Sequence, residues 1–213
     1  MSNKWTEKQI ADLRAEVQKG MSQKRFLHTL AVEEMTDRLA SLFGCEKREE
    51  MCVAAILHDI TKECSVDEQL ALCEKYGIPD GEHLRLAPKT FHAQTAAALV
   101  AGKFPEFADE TVIGCVRWHT TGHAGMTLEE QLVYLADYID MTRLFPDCVR
   151  LRNYFFDAEP QKMDNDERML HLYKTLLMSY DMTIRALVDD GAIISADTVI
   201  ARNEIAATLR KMQ

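Results

Sequence analysis

Val53-Ala54-Ala55-Ile56-Leu57-His58-Asp59 is an apolar run that ends in two polar side chains able to bind metal. Residues 47–57 read as a helix whose second half is wholly apolar, so the element belongs inside a helical protein. His58 and Asp59 then fall where a buried polar group needs a hydrogen-bond partner or a metal.

The same conflict recurs elsewhere along the chain. His28 shares a helix face with Val32, Met35 and Leu39. His92 opens the alanine-rich stretch from Ala93 to Lys103, and His119 closes the helix that carries Ile113, Val116 and Trp118. Asp137 interrupts Leu132-Val133-Tyr134-Leu135-Ala136. Each alone has an ordinary reading, as a core histidine bonded to a carbonyl or as a helix cap. Together they are better explained by one shared cause, a buried metal site, and that makes a hydrolase the leading reading over a binding module. Imidazoles and carboxylates without a thiolate suit iron, manganese or zinc. Asp59, with two carboxylate oxygens, is suited to bridge two ions.

Outward from this centre the chain reads as helical nearly throughout. Thr6 to Lys19 is amphipathic and stops at Gly20. Ser22 caps a helix from Gln23 to about Phe43, ended by Gly44. Ser65 opens another to about Tyr76, and Gly77-Ile78-Pro79-Asp80-Gly81 breaks it. Residues 82–90 read as loop or one weak turn. Pro105 suits the start of a helix reaching Trp118. Thr127 and Glu130 form a capping box for a helix to about Asp140. A short helix near 147–155, a linker at 157–160, a long helix from Asn165 to Val188 and a last one from Ser195 to Lys211 complete the chain. No β-branched alternation marks a strand. The expected architecture is all-α: a core over residues 20–156 and a C-terminal helical extension over 165–211, packed on it as one domain.

With 213 residues the chain has room for a hydrophobic core. Its 34 acidic against 25 basic residues argue against a nucleic-acid duplex or an anionic membrane as the main partner. The six cysteines have no CxxC spacing. The N-terminal MSNKWTEKQI lacks an apolar signal region, so reduced thiols and a cytoplasmic location are expected. No apolar stretch is long enough to span a membrane. The apolar residues of the C-terminal helices (Leu172, Leu176, Ile184, Leu187, Ile193) serve a monomer or a homodimer equally.

The order His…His-Asp…Asp resembles the HD superfamily of helical metal-dependent phosphohydrolases. A closer likeness lies in four segments: Arg25-Phe26-Leu27-His28-Thr29-Leu30-Ala31-Val32, Leu57-His58-Asp59-Ile60-Thr61-Lys62, Arg117-Trp118-His119-Thr120-Thr121-Gly122 and Leu135-Ala136-Asp137-Tyr138-Ile139-Asp140. These resemble the motifs of the YqeK family of symmetrical diadenosine-tetraphosphate hydrolases, over roughly residues 20–205. The resemblance implies an HD-domain helical bundle. It implies His28, His58, Asp59, His92, His119 and Asp137 as ligands of two divalent ions, iron first and manganese, cobalt or zinc as alternatives. It also implies cleavage of diadenosine tetraphosphate to two ADP by a metal-activated hydroxide. One departure is Thr90-Phe91-His92-Ala93-Gln94, which differs from a His-Gly-Pro-type sequence at this position.

Asp59 and Lys62 are the catalytic candidates. Lys62, Arg25 and Arg143 are candidate phosphate contacts, each with an ordinary surface role as the alternative. Thr120, Thr121 and Gly122 suit substrate contact or simple helix termination. His123 either meets phosphate or is exposed. No Walker-type or GxGxxG loop is present, so a nucleotide would be held by metals and side chains. Phe91, Trp118 and Tyr138 neighbour the ligands and are the candidates for base contact. Two other readings stand: a different HD-type nucleotidase or phosphodiesterase, and a non-catalytic nucleotide-binding HD protein.

Overall fold

The computed structural model describes residues 4–78 and 86–212. Every regular element among them is helical. The chain runs through α1 (Glu7–Lys19), α2 (Gln23–Phe43), α3 (Arg48–Leu57), α4 (Val66–Tyr76), α5 (Pro88–Lys103), α6 (Glu110–Trp118), α7 (Leu128–Ile139), α8 (Pro146–Asp157), α9 (Asn165–Asp189) and α10 (Ala196–Met212). Short 3₁₀ turns stand at Pro105–Phe107 and Pro160–Lys162. No described helix is long and apolar enough to cross a membrane.

The caps explain most of these boundaries. Thr6, Ser65 and Thr127 each close a reciprocal capping box with the residue three places on, and Ser22 accepts from the Arg25 amide. Gly44 supplies the left-handed C-cap that ends α2.

Helix α3 is the hub. Met51, Val53, Ala54, Ala55, Ile56 and Leu57 are fully buried, and α3 packs against α1, α2, α6 and α7. Each large aliphatic side chain buried there contributes about 1.5–3 kcal/mol. The C-terminal pair α9–α10 closes the other side through α7 and α8, and one continuous hydrophobic core extends from Trp5 to Leu209.

Two boundaries differ from the sequence expectation. Helix α5 begins at Pro88, so His92 sits inside the helix rather than at its opening; residues 82–85 lie outside the described residues. No side chain caps α5, so the sequence carried no capping signal for its start. Pro105 starts only a 3₁₀ turn. Asp109 then caps α6 by accepting from the Thr111 amide, and this strong cap overrides the proline signal.

A candidate dinuclear metal centre

Five helices deliver the six expected ligands to one place. Helix α2 supplies His28, the end of α3 supplies His58, α5 supplies His92, the end of α6 supplies His119, and α7 supplies Asp137. Beyond Leu57 the chain tightens into successive turns, with amide-to-carbonyl bonds from Ile60 to Leu57, Lys62 to Asp59 and Cys64 to Thr61. These turns fix Asp59 and Lys62 beside His58.

Asp59 lies at the centre. Its Oδ1 is 3.2 Å from His92 Nε2 and 3.7 Å from His119 Nε2. Its Oδ2 is 3.3 Å from His58 Nε2, 3.7 Å from His28 Nε2 and 2.7 Å from Arg25 Nη1. The two oxygens thus face two separate histidine pairs. Asp137 Oδ1 is 3.0 Å from His28 Nε2 and 3.8 Å from His58 Nε2. Two ligand-competent triads result among the described residues, His28–His58–Asp137 and His58–Asp59–His119.

The donor chemistry fits divalent metal. His58 Nδ1 and His119 Nδ1 each lie 2.7 Å from the carbonyl three residues back, Ala55 O and Val116 O. Donation to those carbonyls fixes the tautomer and leaves each Nε2 lone pair aimed at the centre, as metal-ligating histidines require. The buried Nε2 atom of His58 has no hydrogen-bond partner among the described residues, and that of His28 faces the Asp137 and Asp59 carboxylates. His92 Nε2 and His119 Nε2 approach to 3.0 Å, a separation suited to a shared proton or a shared cation.

The electrostatics favour the ligand form of Asp59, Asp137, His92 and His119. Against the penalty of burial, His58 and the neighbouring imidazoles hold Asp59 well below the usual carboxylate range. Burial likewise opposes Asp137, but Arg143 and His28 hold it low. Burial, with Lys62 nearby, pushes His92 down to about 4, and burial lowers His119 as well. His28 is the exception: burial pulls it down, yet Asp137 and Asp140 lift it to about 9.

These shifts predict how the metal-free protein responds to pH. His92 titrates near 4 when folded but near 6.5 when unfolded. The unfolded state therefore binds more protons, and stability falls as pH drops from about 6.5 toward 4. His28, raised to about 9, contributes stability that is complete below about 6.5 and lost as pH rises through 9. Urea midpoints of metal-free protein are expected to peak near neutrality. A midpoint that climbs steadily from about pH 5 to pH 9 would contradict these charge assignments.

The expected substrate residues divide in two. Arg25 and Arg143 stand at the mouth, paired with Asp59 and Asp137 at 2.7 and 2.6 Å. Lys62 Nζ is 3.2 Å from His92 Nε2, and burial lowers its pKa. Thr120 Oγ1 lies 3.1 Å from His92 Nε2 and 3.0 Å from His119 Nε2, inside the centre. Thr121 turns away: its hydroxyl bonds to Gly122 O. At Gly122 (φ 64°) the missing Cβ faces the Tyr180 hydroxyl, with Met126 Sδ at 2.9 Å and Ala201 Cβ at 3.1 Å. The close approach it permits is to α9 and α10. His123 is neither exposed nor aimed at the centre; it stacks on Trp118 with ring centroids 4.5 Å apart and lies 3.1 Å from Glu130 Oε2. Phe91 is buried in a small satellite cluster with Cys73. Tyr138 packs against the core, so Phe91, Trp118 and Tyr138 are all engaged with protein.

Asp140 and Thr142 escaped the sequence reading. Asp140 is fully buried, its Oδ2 3.3 Å from His28 Nδ1. Thr142 Oγ1 is 3.2 Å from the same nitrogen and donates to Asp140 Oδ1. The signal available was Asp137-Tyr138-Ile139-Asp140, a second acid one helical turn beyond the first.

Comparison with known proteins agrees with this geometry. The HD domain family matches residues 25–142. The symmetrical bis(5'-nucleosyl)-tetraphosphatase of Halalkalibacterium halodurans is 32% identical over 185 residues, covering 87% of this chain and 90% of that protein. The Bacillus subtilis protein of the same name is 32% identical over 136 residues, covering 64% of this chain and 72% of its own length. A solved structure from Clostridium acetobutylicum, described as a predicted HD superfamily hydrolase involved in NAD metabolism, superposes with a TM-score of 0.79. It is 28% identical and covers 96% of this chain and 98% of its own. An all-α bundle with paired His/Asp clusters on the HD segments, matched over most of its length by such relatives, belongs to the HD-domain superfamily of metal-dependent phosphohydrolases, in the branch of the YqeK-type symmetrical bis(5'-nucleosyl)-tetraphosphatases.

Proposed function

We propose that the protein hydrolyses diadenosine tetraphosphate symmetrically to two ADP. The observation that carries this reading is the placement of three cationic side chains, Arg25, Lys62 and Arg143, around a buried cluster rich in imidazole and carboxylate. A polyphosphate chain needs that distribution: positive charge along its length and an acidic, metal-competent centre at the bond to be cut. The names of the three curated relatives support the substrate.

His28, His58, Asp59, His92, His119 and Asp137 would hold two divalent ions; bound there, the ions would supply a water of lowered pKa and positive charge for the phosphate oxygens. The protein's own groups do the rest. Arg25 and Arg143, now paired with carboxylates, offer planar donors to phosphate oxygens. The Lys62 ammonium lies on the His92 side of the centre and can neutralise charge on the departing ADP. The Thr120 hydroxyl, between the His92 and His119 Nε2 atoms, orients donors at the same place. In the balanced step, a water oxygen forms a bond to one inner phosphorus and the bridging anhydride bond breaks. ADP leaves with the electron pair, and the water proton passes to solvent.

Iron is the metal that the family resemblance implies, with manganese, cobalt and zinc as the alternatives; the donor set, lacking a thiolate, argues only against pure zinc chemistry. Residues 20–156 carry the chemistry and residues 165–211 brace it. The unpaired state of all six cysteines supports a reducing, cytoplasmic setting.

The test is product analysis on a panel of diadenosine tetraphosphate, NAD+ and nucleoside monophosphates. Two ADP from the first, with the others turned over far more slowly, is expected. Preferred cleavage of NAD+ or of a monophosphate would overturn the substrate assignment while leaving the metal centre intact. Lys62→Ala is expected to lower kcat/KM on the order of 10²-fold with metal content unchanged. Loss of metal in that variant would instead make Lys62 a support of His92.

A further inference from the structure

The two mouth arginines line a cleft of 690 Å³ together with His28, Leu27 and Phe145. Both side chains are exposed, Leu27 by 53% and Phe145 by 68%. Their neighbours Met141 and Leu144 are 64% and 79% exposed. Most large apolar residues of the chain lie in its core, so this concentration beside a charged centre calls for an occupant. The turn that displays Met141, Leu144 and Phe145 is tied down by hydrogen bonds. Arg152 Nη1 donates to Asp140 O at 2.6 Å and reaches Arg143 O at 3.3 Å. Pro146 follows Phe145 directly and begins α8, which pins the Phe145 backbone.

We propose that Phe145 and Leu27 form a nucleobase subsite, in which the ring of Phe145 stacks on the base of a nucleotide whose phosphates lie toward Arg25 and Arg143. The proposal rests on the reading of the centre as a nucleotide phosphohydrolase. It follows from what the cleft holds, cationic and exposed apolar side chains together. A ligand with an anionic end at the arginines and His28 presents its other end to Leu27 and Phe145, and a flat apolar ring matches that end. Of the other aromatic candidates, Phe91 is buried, Trp118 lies against His123 and Tyr138 packs on the core, and none of the three lines this cleft. Phe145 is the aromatic side chain that lines the cleft. A preformed, half-stripped aromatic surface gains from stacking without first ordering a loop.

Calorimetric titration of the metal-loaded protein with ADP, and separately with inorganic pyrophosphate, tests this. Phe145→Ala is expected to weaken ADP on the order of tenfold and leave pyrophosphate unchanged, while Phe145→Trp keeps ADP within about threefold of wild type. The side chain is largely exposed, so the variants should fold, and circular dichroism verifies it. Unchanged ADP affinity in Phe145→Ala overturns the proposal. So does equal weakening of ADP and pyrophosphate, which places the effect in the phosphate region. Sedimentation of the same samples covers a second copy of the chain as occupant: a dimer lost in Phe145→Ala with ADP affinity intact overturns the proposal too. The readout is independent of the proposed reaction. A wild-type protein that fails to give two ADP from diadenosine tetraphosphate, yet shows the ADP-specific loss, keeps the subsite and loses the reaction.

Discussion

Asp59→Ala is expected to abolish turnover, by at least about 10³-fold, and to remove most of the bound metal. Among the described residues Asp59 is the one carboxylate whose two oxygens face both histidine pairs, and it is 3% exposed. Alanine would leave His92 and His119 with no anion between them and Arg25 without its 2.7 Å partner. Several cationic or proton-seeking groups would then converge on an uncompensated buried site. Asp59→Asn keeps the volume and loses the charge, and should lose metal nearly as completely; it separates charge from packing. Elemental analysis and ADP release on the same preparations check this. Near wild-type activity with metal retained in Asp59→Ala would remove Asp59 from the centre of the chemistry.

Gly122→Ala is expected to be the most destabilising of the small changes near the centre. Gly122 has φ 64°, where an L side chain costs about 1 kcal/mol or more. Its added Cβ would meet the hydroxyl of Tyr180, a fully buried ring stacked on Tyr134 at 4.7 Å. Overpacking against so fixed a neighbour adds about 1–3 kcal/mol. A total of about 2–4 kcal/mol lowers Tm by roughly 10 °C in a chain of this size. Activity should fall as well, because the same turn follows His119 and Thr120. Tyr180→Phe, which removes the obstructing oxygen, should recover part of the loss when combined with Gly122→Ala. Strict additivity of the two changes would place the damage elsewhere.

Gly122 also shows where sequence reading reaches its limit. A glycine after two threonines suggests backbone approach to a ligand, and nothing local reveals that the neighbour is Tyr180, 58 positions later (180 − 122). His123 is a nearer case: its partners Trp118 and Glu130 stand on the two helices flanking its own turn, and the shape of that turn decides that it meets them. By contrast, Ser22, Ser65 and Thr127 announced α2, α4 and α7 because capping is a local hydrogen bond between residues three apart. Helix α5 lacked such a cap and its start was misplaced. The metal-type residues were legible because each stands inside or at the edge of an apolar segment, which leaves a mark in one dimension. Asp140 occupies a similar edge, at the end of α7, and one dimension alone does not separate it from an ordinary helix terminus. Its importance comes from the approach of His28, more than a hundred residues earlier (140 − 28 = 112).

The two-metal assignment is tested most directly by reconstitution. Metal-stripped protein, kept free of oxygen, is titrated with ferrous iron while the products of diadenosine tetraphosphate are separated by chromatography. The proposed reaction predicts no turnover without metal, a rate that climbs until about two equivalents are bound, and ADP as the sole nucleotide product. Turnover by the stripped protein, or release of ATP together with AMP, would contradict it.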